Sequence, residues 1–143
     1  AGPAGIVYLD TSTVLQALVG RGARWPEWGR WRHAYTSELM GVEARRALDR
    51  LRLEQALDDD GLASAHEALG AIERAVGIIR LTGIVLRRAS QPMATVVKTL
   101  DALHLASALL FEERRQEGLV FATHDRRQGL AGRALGLQVV GVP

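Results

Sequence analysis

Four acidic residues stand where they could act together instead of merely solvating the surface. Asp10 closes the run of IVYLDTS, in which Ile6, Val7, Tyr8 and Leu9 are apolar and partly β-branched. Asp125 follows a second such run in GLVFATHDRR, behind Leu119 to Phe121 and then Thr123 and His124. Asp101 lies in KTLDALHLASALLF among Leu100, Leu103, Leu105, Ala106 and Leu109, and acids are rarely buried without a partner. Glu43, in SELMGVEARRALDRL, shares a helical face with Leu39, Arg46 and Ala47 by i±3 and i±4 spacing, which points it inward.

Taken singly, each acid has a plainer use. Asp10 and Asp125 can cap the helices that follow them, Asp101 can favour a helix dipole, and Glu43 can pair with Arg46. Taken together they conflict. Two carboxylates about 4 Å apart repel by about 4 kcal/mol at an effective dielectric of 20, and no lysine or buried arginine is available beside each one. A hard divalent cation removes the conflict, and Mg²⁺ or Mn²⁺ prefers carboxylate oxygen and water. If Asp10 is a ligand, the cap of the following helix is expected from Thr11 or Ser12.

The elements that must carry these acids alternate between strand and helix, which predicts an α/β domain with a mainly parallel sheet. Strands are expected at Ile6–Leu9, Ala34–Thr36, Gly77–Leu81, Leu119–Thr123 and Gln138–Val142. Helices are expected at Thr13–Val19, Ser37–Leu53, Gly61–Val76, Ile84–Ala89, Thr99–Arg115 and Arg126–Leu135. Ser37 is available as an N-cap and Gly136 as a C-cap. Asp10 and Asp125 then leave the carboxyl ends of two strands, where α/β sheets bind ligands, provided the two strands are neighbours.

Composition narrows the class. The chain has 143 residues, 48% hydrophobic and 24% charged, consistent with a single soluble domain over 1–143 that buries roughly 70% of its unfolded surface. Residues 1–4 read as a tag remnant, nothing resembles an export leader, and no apolar run approaches the ~20 residues of a membrane span. With no cysteine, disulfides, thiolate zinc sites and thiol nucleophiles are excluded, as suits a reducing compartment. Net charge is only +2, and Lys98 is the sole lysine among 18 cationic residues; arginine suits phosphate contacts, although GC-rich coding produces the same bias.

Other features have plain readings. Asp58-Asp59-Asp60 opens a helix where its dipole favours acids, and Glu112 to Arg115 is the solvated end of another. Trp25, Trp28 and Trp31 in RWPEWGRW, with Arg21, Arg24, Arg30 and Arg32 around them, could stack RNA bases, but core or interface packing is the favoured reading. His104 and His124 are expected to be packing or rim residues.

The four motifs, in this order, resemble the PIN-domain ribonucleases, specifically the VapC-type toxins of bacterial type II toxin–antitoxin pairs. YLDTS is similar to the opening motif, TSELMGVEARRAL to the segment carrying the glutamate, and FATHDRR…ALGLQVVGVP to the closing motif and last strand. TLDALHLASAL is the most specific match. The resemblance implies a three-layer α/β/α sandwich with a mainly parallel central sheet. It also implies metal-dependent hydrolysis of RNA phosphodiesters, with Asp10, Glu43, Asp101 and Asp125 as catalytic Mg²⁺ or Mn²⁺ ligands. Ser12 and Thr123 fall on supporting hydroxyl positions, while Thr11 is expected to act more through its backbone amide. Arg45, Arg46, Arg126 and Arg127 flank the acids and are candidates to hold RNA. A VapB-type antitoxin, a homodimer and a bacterial cytoplasm are implied as well.

Two other classes compete. Phosphotransferases of the haloacid-dehalogenase type need an aspartate two residues after the first, where this chain has Ser12. Phospho-receivers need paired acids after the first strand and a lysine after the last strand, whereas Lys98 precedes the Asp101 helix. Both fit poorly. A non-catalytic PIN-like nucleic-acid-binding or complex-forming module is the non-enzymatic alternative, and retention of all four acids argues against it.

Overall fold

The computed structural model describes residues 4–20 and 25–142. Five strands form one sheet, β1 (Ala4–Leu9), β2 (Trp31–Ser37), β3 (Gly77–Ile79), β4 (Leu119–Ala122) and β5 (Gln138–Val140). All neighbours are parallel, in the order β3-β2-β1-β4-β5. The helices are α1 (Thr11–Val19), α2 (Leu39–Leu53), α3 (Asp59–Ala75), α4 (Gly83–Ala89), α5 (Thr99–Arg115) and α6 (Arg126–Ala134).

Central parallel strands are buried on both faces and therefore read as continuous apolar runs. In β1, Val7 and Leu9 face one way, onto Val14 of α1, Met40, Ala44 and Leu48 of α2, and Ala65 and Leu69 of α3. Ile6 and Tyr8 face the other, onto Leu105, Ala108 and Leu109 of α5 and Ala131 of α6. This is the expected three-layer α/β/α sandwich. Among the described residues no helix is long and apolar enough to cross a membrane.

Several boundaries move for identifiable reasons. Ala4, read as part of a tag remnant, opens β1 opposite Trp31. β2 begins at Trp31 and not Ala34, because it pairs along the whole of β1. β3 stops at Ile79, since its last partner, Ser37, ends β2 there. Ser37 is therefore strand and not helix, yet its Oγ still accepts the Leu39 N–H at 3.0 Å. Asp58 caps α3 through the Gly61 N–H, while Asp59 and Asp60 stand in its first turn where the dipole favours acids, and Gly136 follows α6 with φ +93°.

Trp25, Trp28 and Trp31 all pack against the core cluster of β1, α1, α2 and α3. Trp28 meets Trp31 edge-on at 5.1 Å, which favours packing over base stacking. Arg21 and Arg24 lie outside the described residues.

Candidate active site

Strand order reverses between β1 and β4, the topological switch point at which open α/β sheets form a ligand crevice. Leu9 pairs with Ala122 at the carboxyl ends of these strands, so the condition set on the sequence is met. Asp10 and Thr123 emerge next to each other and Asp125 follows.

Asp10 is only 5% exposed. Its Oδ2 accepts the Ser12 N–H at 3.1 Å and the Ser12 hydroxyl at 2.6 Å, and lies 3.2 Å from Thr123 Oγ1. Asp10 is thus itself the N-cap of α1, which corrects the assignment of that cap to Thr11 or Ser12. Capping and site roles coexist because one oxygen serves each: Oδ1 accepts no hydrogen bond from the described residues. Asp125 divides its oxygens likewise, capping α6 through Oδ1 and the Gln128 N–H at 3.1 Å.

The supporting hydroxyls brace this rim. Ser12 Oγ accepts the His124 N–H at 3.0 Å, and Thr123 Oγ1 accepts the Asp125 N–H at 3.0 Å. Thr123 also lies 2.7 Å from Oε1 of the buried Gln128. Two turns after β-strands are thereby stitched to each other by short polar side chains.

Glu43 reaches in from α2. Its Oε1 accepts the Thr11 hydroxyl at 2.6 Å and lies 2.6 Å from His104 Nε2. Thr11 therefore acts through its side chain, against the expectation of a backbone role. His104, 1% exposed, also stands 3.7 Å from Asp10 Oδ1, and its Nδ1 is 2.7 Å from the Tyr8 hydroxyl. Burial lowers the affinity of the imidazole for its proton, but the Glu43 hydrogen bond and the charges of Asp10, Glu43 and Asp101 outweigh that and raise its pKa. Burial and the Asp10 charge push the Tyr8 phenol well above its ordinary range, keeping its proton in place.

Asp101 lies three residues before His104 on α5, hence on the same helical face. It accepts no hydrogen bond from the described residues. Burial, then the charges of Asp125 and Asp10, raise its pKa to about 6, with His104 opposing. The four predicted acids therefore share one electrostatic neighbourhood. A cavity of about 230 Å³ opens there, lined by Val96, Val97, Lys98, Asp101, Asp125 and Arg127.

The predicted arginines separate. Arg45 grips Glu73 of α3 with two nitrogens, at 3.0 and 2.7 Å. Arg46, Arg126 and Arg127 are exposed and make no hydrogen bond to the described residues, leaving their guanidinium groups to solvent. Only Arg127 lines the acidic cavity.

The donor chemistry suits a hard cation, because each of the four carboxylates keeps at least one oxygen without a protein donor. Among the described residues no three acidic or histidine side chains are drawn together into a coordination shell.

The PIN domain model matches residues 7–133, from β1 to α6. The chain belongs to the PIN domain family. Among solved structures, this PIN domain is similar to VapBC2 from Rickettsia felis, solved bound to a DNA fragment from their promoter. That match has a TM-score of 0.65 at 10% identity and covers 94% of this chain and 97% of that one. PAE2754 from Pyrobaculum aerophilum matches with a TM-score of 0.59 at 21% identity, over 94% of this chain and 83% of that one. At these identities the likeness is one of fold. No curated protein matches this PIN domain in sequence.

Sequence reasoning missed His104 and Tyr8 as members of the site. The signal for His104 was its i+3 spacing from Asp101; Tyr8 carried none, since it completes an apolar strand.

Proposed function

We propose that this PIN domain is a Mg²⁺- or Mn²⁺-dependent endoribonuclease, acting as a VapC-type toxin neutralised by a VapB-type antitoxin. The observation that carries the reading is the placement of Asp10 and Asp125 at the carboxyl ends of the neighbouring strands β1 and β4, with Asp101 and Asp125 lining one cavity; the raised pKa of Asp101, from burial and the charges of Asp125 and Asp10, agrees with it. Negative charge gathered at a switch point, only partly offset by His104, Lys98 and Arg127, suits a site that takes up a cation. The likeness in fold to VapBC2 supports the toxin–antitoxin assignment; a homodimer and a bacterial cytoplasmic setting belong to the same proposal.

Asp10, Glu43, Asp101 and Asp125 would hold the cation, directly or through water. A bound divalent cation lowers the pKa of an attacking water and stabilises the charge developing on phosphate. Ser12 and Thr123 hold one oxygen of Asp10, and Thr11 and His104 one oxygen of Glu43, leaving the other oxygen of each without a protein donor among the described residues. Arg127 and Lys98 at the cavity wall offset the acids and receive the phosphate backbone, and the exposed Arg46 and Arg126 extend that basic surface.

The test is cleavage of RNA by the purified protein with Mg²⁺ or Mn²⁺ and with EDTA, alongside Asp10→Asn. Cleavage should require metal and fall by 10²-fold or more in the variant, on the order of the loss of one preorganised electrostatic group. Asparagine still caps α1, so the melting temperature should change little. Absence of both Mn²⁺ binding and cleavage in the wild type would leave the non-catalytic binding module as the reading.

A further inference from the structure

We propose that His104 is a positioning residue, locked by Tyr8, that fixes which oxygen of Glu43 faces the site. The inference rests on the nuclease reading above and assigns a role to a residue outside the four acids.

Geometry fixes the hydrogen on His104. Glu43 Oε1, a carboxylate oxygen 2.6 Å from Nε2, can only accept. Nε2 therefore carries hydrogen whether the ring is neutral or charged, and the role needs no change of protonation. Tyr8 completes the lock from the far side. With a neutral ring its hydroxyl donates to Nδ1 at 2.7 Å, which excludes the tautomer that would turn a lone pair toward Glu43.

The ring has no room to turn. Tyr8 lies flat against Phe121, 5.3 Å between centroids at 8°, and meets His104 edge-on at 5.8 Å and 75°. Tyr8, His104 and Phe121 are all buried. Thr11 adds a second donor to the same Oε1 at 2.6 Å, so Oε2 is the oxygen left without a protein donor. Glu43 of α2, His104 of α5 and Thr11 of α1 thus meet at a single carboxylate oxygen, with Tyr8 of β1 behind the imidazole. Outer partners of this kind orient metal ligands, and their loss costs 10–100-fold in affinity or activity.

The experiment compares wild type, Tyr8→Phe, His104→Leu and His104→Gln. It measures the dissociation constant for Mn²⁺ alone, kcat and KM on an RNA oligonucleotide, and the melting temperature. Tyr8→Phe should weaken Mn²⁺ binding about tenfold and His104→Leu by up to about 100-fold. Both should lower kcat with KM for RNA unchanged, and His104→Gln, which restores an N–H donor, should recover part of the loss. Wild-type Mn²⁺ affinity and kcat in folded His104→Leu would overturn the proposal. If His104→Leu does not fold, Tyr8→Phe decides, and wild-type values in it overturn the proposal equally. Failure of the nuclease reading looks different: the wild type itself then neither binds Mn²⁺ nor cuts RNA, and the positioning role falls with it.

Discussion

Leu9 stands opposite Ala122 in the parallel ladder, so Asp10 and Thr123 leave the sheet together. The ladder continues one step beyond the strands, with the Asp10 N–H bonded to the Ala122 carbonyl at 2.9 Å. From this pairing follow the Ser12 and Thr123 hydroxyls on Asp10, and the cap by which Asp125 starts α6. Register thus decides which acids can share a charge.

That shared charge should make the metal-free protein more stable in mild acid. The Asp101 carboxyl is raised from its ordinary 3.8 to about 6, so between these values the folded chain holds a proton that the unfolded chain has lost. Stability from this group is complete below about 4 and is lost as pH rises through about 6. His104, also raised, acts in the same direction, its contribution fading as pH rises above the ordinary histidine range. Melting temperature in EDTA should therefore rise from pH 7.5 to pH 5.5, and Asp101→Asn should melt higher than wild type at pH 7.5 with a flatter profile. Mn²⁺ affinity should weaken below about pH 6, because binding displaces the Asp101 proton.

Much of this arrangement was legible because local signals agreed with the fold. β1 and β4 are central strands and read as unbroken apolar runs, and Asp101 stands out as an acid in an apolar helix. Where legibility failed, the cause was long-range. The start of β2 was hidden because Arg32 and His33 are exposed, and only pairing with β1 makes them strand. His104 reads as one more residue of an apolar helix until Glu43 and Tyr8, 61 and 96 positions away, are brought to its two nitrogens. Asp10 was misjudged as a choice between cap and site, when its two oxygens divide the work.

Arg127 and Arg45 should behave as opposites. Arg127→Ala removes the guanidinium beside Asp101 and Asp125, so RNA binding should weaken at low salt. The dependence of log affinity on log salt should become shallower by about 0.7, one contact's share for a single strand. Arg45 is held by Glu73 at 2.7 Å on a largely exposed surface. Arg45→Ala should leave RNA affinity and its salt slope unchanged and cost about 0.2–1 kcal/mol of stability. Titration of a labelled oligonucleotide at several salt concentrations, beside a denaturant melt, separates the two.

Trp28 should matter for the fold and not for cleavage. It packs against the core cluster and edge-on to Trp31 at 5.1 Å, and makes no hydrogen-bonded contact with the four acids among the described residues. Trp28→Ala should lower stability by about 2 kcal/mol, below the range for a fully buried tryptophan because this one is half-buried. At a temperature where the variant is folded, kcat and KM for RNA should match the wild type. A raised KM in the folded variant would instead assign Trp28 to RNA stacking.

The site also depends on a residue that contributes no side chain. Gly141, just beyond β5, has φ +95°, and a Cβ there would come within 2.5 Å of the Thr123 carbonyl oxygen and 3.3 Å of His124 Nδ1. Its own carbonyl holds His124 Nδ1 at 2.8 Å. Substitution must therefore strain the backbone and press on the turn that carries Thr123, His124 and Asp125. Backbone strain of this kind costs on the order of 1–3 kcal/mol, and the contact with Thr123 directs it into the turn that carries Asp125. Gly141→Ala should accordingly lose both stability and activity. Gly136→Ala, at a φ of +93° with open space around it, should lose stability alone. Melting curves and cleavage rates of the two variants, measured at a temperature where both are folded, distinguish strain that reaches Asp125 from strain that does not.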